Sequence, residues 1–175
     1  MPLLVLSRRW AVLSLLALLT LGGIAPRLTA DAAKWRERLT KGDPDELFAS
    51  VQAALTSKDA SAALPLIELA LATPHGHLAV AAGEALAAIG PAPLKDGDVL
   101  KAVAAGVKAK EDARQVNLAR LLGAWGVPEV DKHLAQLAAG RRAPEVQAEA
   151  LFCCGMLTPG GEQDFPEVKA AVLAA

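Results

Sequence analysis

The sequence predicts an all-α protein built as a right-handed α-solenoid of antiparallel helix pairs, and three observations carry that expectation. Hydrophobic residues make up 53% of the 175, yet aromatics only 3%, with no tyrosine. The apolar content is therefore mainly Ala, Leu and Val, a mixture that favours packed helices over strands. Residues 78–90 read LAVAAGEALAAIG, an alanine-rich helix ending on a glycine, whose small side chains let neighbouring helices approach on more than one side. The same design returns at residues 114–126, RQVNLARLLGAWG, and at residues 146–158, VQAEALFCCGMLT, offset by 36 and then 32 residues. A period of that size marks stacked two-helix units.

The N-terminal residues form a separate object. Arg8 and Arg9 precede an uncharged apolar run over residues 10–25, and small residues follow at Ala30 and Ala32. This is the layout of a secretory signal peptide, with cleavage expected after Ala32 or Ala30. The run of 16 residues falls short of the roughly 20 that a spanning helix needs, which leaves an uncleaved anchor over residues 10–25 as the alternative. Ser7-Arg8-Arg9-Trp10 also resembles a twin-arginine export signal, although Ala11 and Val12 stand where Phe and Leu are usual. Either route exports the chain to the periplasm or beyond. Residues 1–32 are assigned to the signal, residues 33–43 to a linker or short helix, and residues 44–175 to the folded domain.

Within the domain, Asp43 suits an N-cap and Pro44 the first helical position, so a helix is expected over residues 44–56 with Leu47, Phe48, Val51, Ala54 and Leu55 on its inner stripe. Ser57-Lys58-Asp59 breaks the chain and residues 60–72 form the next helix, with Pro65 tolerated near its first turn. Thr73-Pro74-His75-Gly76 turns the chain back into residues 78–89. Further helices are expected over residues 98–108, 112–125, 128–139 and 144–157. Their inner faces would be Val99, Leu100, Val103 and Val107, then Val116, Ala119, Leu122 and Trp125, then Val130, Leu134 and Leu137, then Val146, Ala150, Leu151 and Cys154. One more short helix fits residues 166–175.

Leu64-Pro65-Leu66-Ile67-Glu68-Leu69-Ala70-Leu71, then Thr73-Pro74, then Glu84 to Gly90, resembles the short HEAT-like repeat of the kind also found in phycobilin lyases. Pro144-Glu145-Val146, Glu149-Ala150-Leu151 and Gly155 match it again, and Leu122 to Gly126 match its end. The resemblance covers residues 45–158 and implies stacked helix pairs; no bilin-attachment chemistry can be located, so a lyase activity does not follow. Thr73-Pro74 with His77-Leu78-Ala79 echoes the ankyrin signature, but two residues separate Pro74 from His77 and no later copy carries it. The Trp, Leu-Gly and Tyr pattern of tetratricopeptide repeats is absent.

Little in the chain suggests chemistry. His75 and His77 form a pair in a turn with His133 as the one other histidine, so no metal set is completed. Cys153 and Cys154 are adjacent, with Cα atoms about 3.8 Å apart against a disulfide minimum near 4.4 Å, and they fall on core positions of the repeat. Ser50, Ser57 and Ser61 have no visible His/Asp arrangement, and Gly83, Gly106 and Gly123 read as places where helices approach closely. No catalytic residue, cofactor or metal is expected. Without residues 1–30, 15 basic residues face 19 acidic ones, a balance that excludes nucleic acid by bulk charge.

The function expected is a non-catalytic scaffold that binds a protein partner in the cell envelope, with an accessory subunit of an enzyme or an oligomerising spacer as alternatives. The partner would lie on the concave side formed by the second helix of each unit, at Glu84, Arg114, Asn117, Arg120, Glu145 and Glu149. That order places a basic unit between two acidic ones, so recognition would run by charge more than by aromatic anchors. Arg141-Arg142 and the apolar end at Val172 and Leu173 are secondary candidates.

Overall fold

A computed structural model of the chain describes residues 25–139, 142–157 and 165–174. Arg8, Arg9 and most of the apolar run lie outside the described residues, as does Arg141, and the Val172 side chain is not described. Among the described residues the fold is all-α, with nine helices and no strand: α1 (Ala25–Thr40), α2 (Pro44–Ser57), α3 (Ala63–Ala72), α4 (Gly76–Ile89), α5 (Gly97–Val107), α6 (Asp112–Trp125), α7 (Asp131–Ala138), α8 (Pro144–Leu157) and α9 (Pro166–Ala174). Short 3-10 turns at Ala60–Ala62, Ala92–Lys95 and Pro128–Val130 lead into α3, α5 and α7.

The local signals behave as their chemistry requires. The Asp43 carboxylate accepts from the backbone N–H groups of Asp45 and Glu46 while the Glu46 side chain accepts from Asp43 N–H, a closed capping box that starts α2. Pro65 is the third residue of α3, where its missing N–H takes no bond from the helix. Gly126 closes α6 in the left-handed conformation, φ 60°.

Packing arranges the helices in two rows. In one row α2 contacts α4, α4 contacts α6 and α6 contacts α8; in the other α1, α3, α5, α7 and α9 follow one another, and α1–α2, α3–α4, α5–α6 and α7–α8 pair across. Glycines set the close approaches, as expected. A Cβ on Gly83 would fall 2.5 Å from the Leu121 carbonyl oxygen, one on Gly123 2.7 Å from Cys153 Cβ, and one on Gly106 2.9 Å from Leu71 and Leu118 methyl carbons. The core between the rows holds Leu66, Ile67, Leu78, Leu86, Leu118, Leu121, Leu122, Trp125, Leu134 and Leu137, all essentially fully buried.

Three differences from the expected layout matter. Residues 33–40 are part of α1, with Trp35 and Leu39 buried, so this stretch belongs to the packed domain instead of leading into it. Trp35 Nε1 donates to Asp59 Oδ2 at 2.8 Å, and the Arg36 guanidinium forms a fork on Glu68 at 2.7 and 2.9 Å, which fixes α1 to the turn before α3 and to α3 itself. Phe48 and Leu100, expected inside, are 41% and 40% exposed. On α2 the inner stripe runs through Val51 and Ala54, and Phe48, three residues before Val51, lies at its edge.

Candidate functional site

Four of the six residues expected to meet a partner have their side chains committed to contacts within the chain. Asn117 is buried, and its Nδ2 donates to the Thr73 carbonyl at 2.8 Å. This corrects its placement on an outer face: a side-chain amide on α6 fixes the turn between α3 and α4. Arg120 Nη2 donates to Glu149 Oε2 at 2.9 Å, joining α6 to α8, with both side chains partly shielded. The same guanidinium fills the space beside Gly76, where any Cβ would collide with it. Arg120 and Glu149 therefore clamp α4, α6 and α8 together, and their charges cancel locally. Arg114 is exposed and leans toward Glu111 at 3.7 Å, while Glu84 and Glu145 are exposed and make no ion pair among the described residues. One arginine of the middle unit is thus paired with α8, and the other is exposed beside an acid at its own helix's N-cap.

Two hollows share the Thr73–Pro74 turn, and the second is also lined by Arg120 of the clamp. One, of about 390 Å³, is lined by Leu39, Pro44, Leu47 and Leu69; the other, of about 410 Å³, by Asp112, Ala113, Val116 and Glu145. The His75 N–H donates to Thr73 Oγ1 at 3.1 Å, so the shared turn is held from both sides.

Exposed apolar side chains, two of them aromatic, lie on three helices of the row α2, α4, α6, α8. Phe48, Val80, Phe152 and Met156 are exposed there, Phe152 at 65%. The His77 ring lies 6.4 Å from Phe48 and 5.8 Å from His75, a small ring cluster between α2 and the start of α4. Sequence reasoning missed both Phe152 and Met156. Phe152 stands 32 residues after Arg120, which the sequence places on the outward face.

The remaining candidates resolve as packing. Cys153 and Cys154 are free, buried thiols; burial, reinforced by Glu149 and by Asp131 respectively, pushes them up to about 12 and about 11, so neither is a thiolate at neutral pH. His133 is half-buried, and burial together with Lys132 lowers its pKa. Among the described residues no group of three or more His, Cys, Asp or Glu is placed to hold a metal ion. Asp131, buried on α7, accepts from the Glu167 and Val168 N–H groups at 2.8 Å each and so caps the start of α9.

Compared with family models, curated proteins and solved structures, the chain matches none.

Proposed function

We propose that this chain is an exported, non-catalytic HEAT-like α-solenoid scaffold that binds a protein partner along the face formed by α2, α4, α6 and α8. The observation that carries the reading is the set of exposed apolar side chains on three of the four helices of one row, Phe48 on α2, Val80 on α4, and Phe152 and Met156 on α8. Scattered apolar side chains are ordinary on a surface, but aromatic and methionine side chains exposed on the helices of one row have the composition of interface centres. The solenoid reading is supported by the order of packing, in which each helix of a row meets the next and pairs across to the other row. Export rests on the signal-like residues 1–32. The non-catalytic reading is supported by thiols that are buried and protonated, and by charged side chains spent on clamps and caps.

Photo-cross-linking tests the scaffold. A photoreactive residue at Val80 or Phe152, expressed in the native host, is expected to capture one discrete protein, whereas the same residue at exposed Leu100 on the other row captures none. Equal capture from both rows, or none from either, contradicts the proposal.

A further inference from the structure

We propose that the two hollows beside the Thr73–Pro74 turn form one trough for an extended peptide segment that carries basic side chains next to aliphatic ones. The inference rests on the scaffold reading and names the chemistry of the partner segment. Thr73 and Pro74 line both hollows, so the turn is a low ridge with a depression on either side. The first depression is apolar, floored by Leu39, Pro44, Leu47 and Leu69. The second is lined by Ala113 and Val116 together with Asp112 and Glu145, both acids exposed. The ridge is fixed from beneath by Asn117 on the Thr73 carbonyl, and Arg120, held by Glu149, braces Gly76 just beyond it. A ligand laid across it finds the site already formed and has little ordering to oppose it.

Charge selects the occupant. No lysine lines either depression, and the one arginine, Arg120, is neutralised by Glu149 at 2.9 Å. Asp112 and Glu145 make no ion pair among the described residues, and Asp45 stands exposed beside Pro44. An acidic segment would set like charges against these acids, while lysine or arginine side chains complement them and aliphatic neighbours fill the floor. Both depressions open to solvent and lie in series, an arrangement suited to successive side chains of one extended chain. There is no strand edge among the described residues to pair with, so recognition falls to side chains alone.

The test uses three fluorescein-labelled 12-residue peptides: one alternating Lys and Leu, one with Glu for every Lys, and one with Gly for every Leu. Binding is followed by fluorescence anisotropy at low salt. The Lys/Leu peptide is expected to bind at least tenfold tighter than either of the others and to weaken as salt rises. The double variant Asp112→Lys with Glu145→Lys is expected to reverse the Lys-over-Glu preference. Asp112→Asn with Glu145→Gln is expected to remove the preference while leaving the melting curve in place, which separates loss of charge from loss of fold. No preference in the unaltered protein, or a Lys/Leu preference that survives the double reversal, overturns the trough. A photoreactive residue at Ala113 separates this inference from the scaffold reading. Capture at Val80 but not at Ala113 overturns the trough alone, and capture at neither overturns both. Capture at Ala113 supports the trough when the linked segment holds Lys or Arg beside Leu, Ile or Val; a linked acidic segment overturns it.

Discussion

Removing the Asp131 carboxylate should release α9 from the end of the molecule without unfolding the rest. Asp131 is 4% exposed, and its two oxygens receive the Glu167 and Val168 N–H groups at 2.8 Å. A hydrogen bond to a charged group contributes about 1.5–3 kcal/mol, and losing an N-cap costs about 0.5–2 kcal/mol. The Glu167 residue is exposed, so its N–H regains water in the variant, while Val168 is fully buried and its N–H does not. One bond is therefore lost nearly in full and the other largely replaced, giving roughly 2–4 kcal/mol for Asp131→Ala. At about 1.4 kcal/mol per tenfold, that raises the opening constant of α9 some 30- to 700-fold. The assay is amide hydrogen exchange at neutral pH, read at the Val168 N–H and, for comparison, at Leu121 in the centre of α6. Val168 protection should collapse by that factor and Leu121 protection should hold. Asp131→Asn keeps an acceptor but loses the charge, and should lie between the two. Unchanged protection at Val168 in Asp131→Ala would refute the cap; an equal fall at Leu121 would show that α9 and the core open as one unit.

Two further outcomes follow from single contacts. Glycine to alanine inside a helix ordinarily stabilises by about 0.5–1 kcal/mol, and Gly155→Ala should do so because a Cβ there meets nothing within 4 Å. Gly123→Ala should instead destabilise by about 1–3 kcal/mol, since its Cβ would press on Cys153; thermal melts of the two variants shifted in the same direction would contradict the packing of α6 on α8. At Asp59, burial alone would raise the carboxyl, but hydrogen bonds from Trp35 and Ser61 outweigh it and hold the pKa below its ordinary 3.8. A depressed folded pKa means the unfolded chain takes the proton first as pH falls. The stabilisation is whole above pH about 5 and is lost as pH drops through 3.8 toward the folded value. Trp35→Phe should therefore weaken the protein at pH 7 by about 1–3 kcal/mol and flatten its loss of stability between pH 5 and pH 3, measured by urea unfolding. A slope as steep as the parent's would place the depression elsewhere.

Helices were easy to read in this chain because their signals are local. Asp43-Pro44 opens α2, Thr73-Pro74 separates α3 from α4, and the bounds expected for residues 112–125 are those of α6, although its buried face holds Leu118 and Leu121 and leaves Val116 half-buried. The close approaches at Gly83, Gly106 and Gly123 were also legible, since a glycine in an otherwise strong helix former asks for a packing reason. What could not be read was how long polar side chains pair across helices. Periodicity places Asn117 and Arg120 near the surface of α6, but their partners, Thr73 and Glu149, are 44 and 29 residues away. Trp35 was lost in the same way. Its surroundings, KWRERLTKGD, are too polar to announce a core residue, and only the Asp59 carboxylate 24 residues on explains how the indole N–H is satisfied inside. The exposed Phe48 and Phe152 escape for a different reason: a count of aromatics says how few there are and not which of them reach the surface.

The most direct measurement of the central claim compares partner capture by the unaltered chain and by Phe152→Ser with Met156→Ser. Both side chains are exposed, so the double variant should keep the helical circular dichroism and the melting temperature of the parent. If the row α2, α4, α6, α8 is the binding face, the affinity for the protein cross-linked at Val80 falls at least tenfold. Undiminished affinity in a fully folded double variant would contradict the account and move the interface off this row.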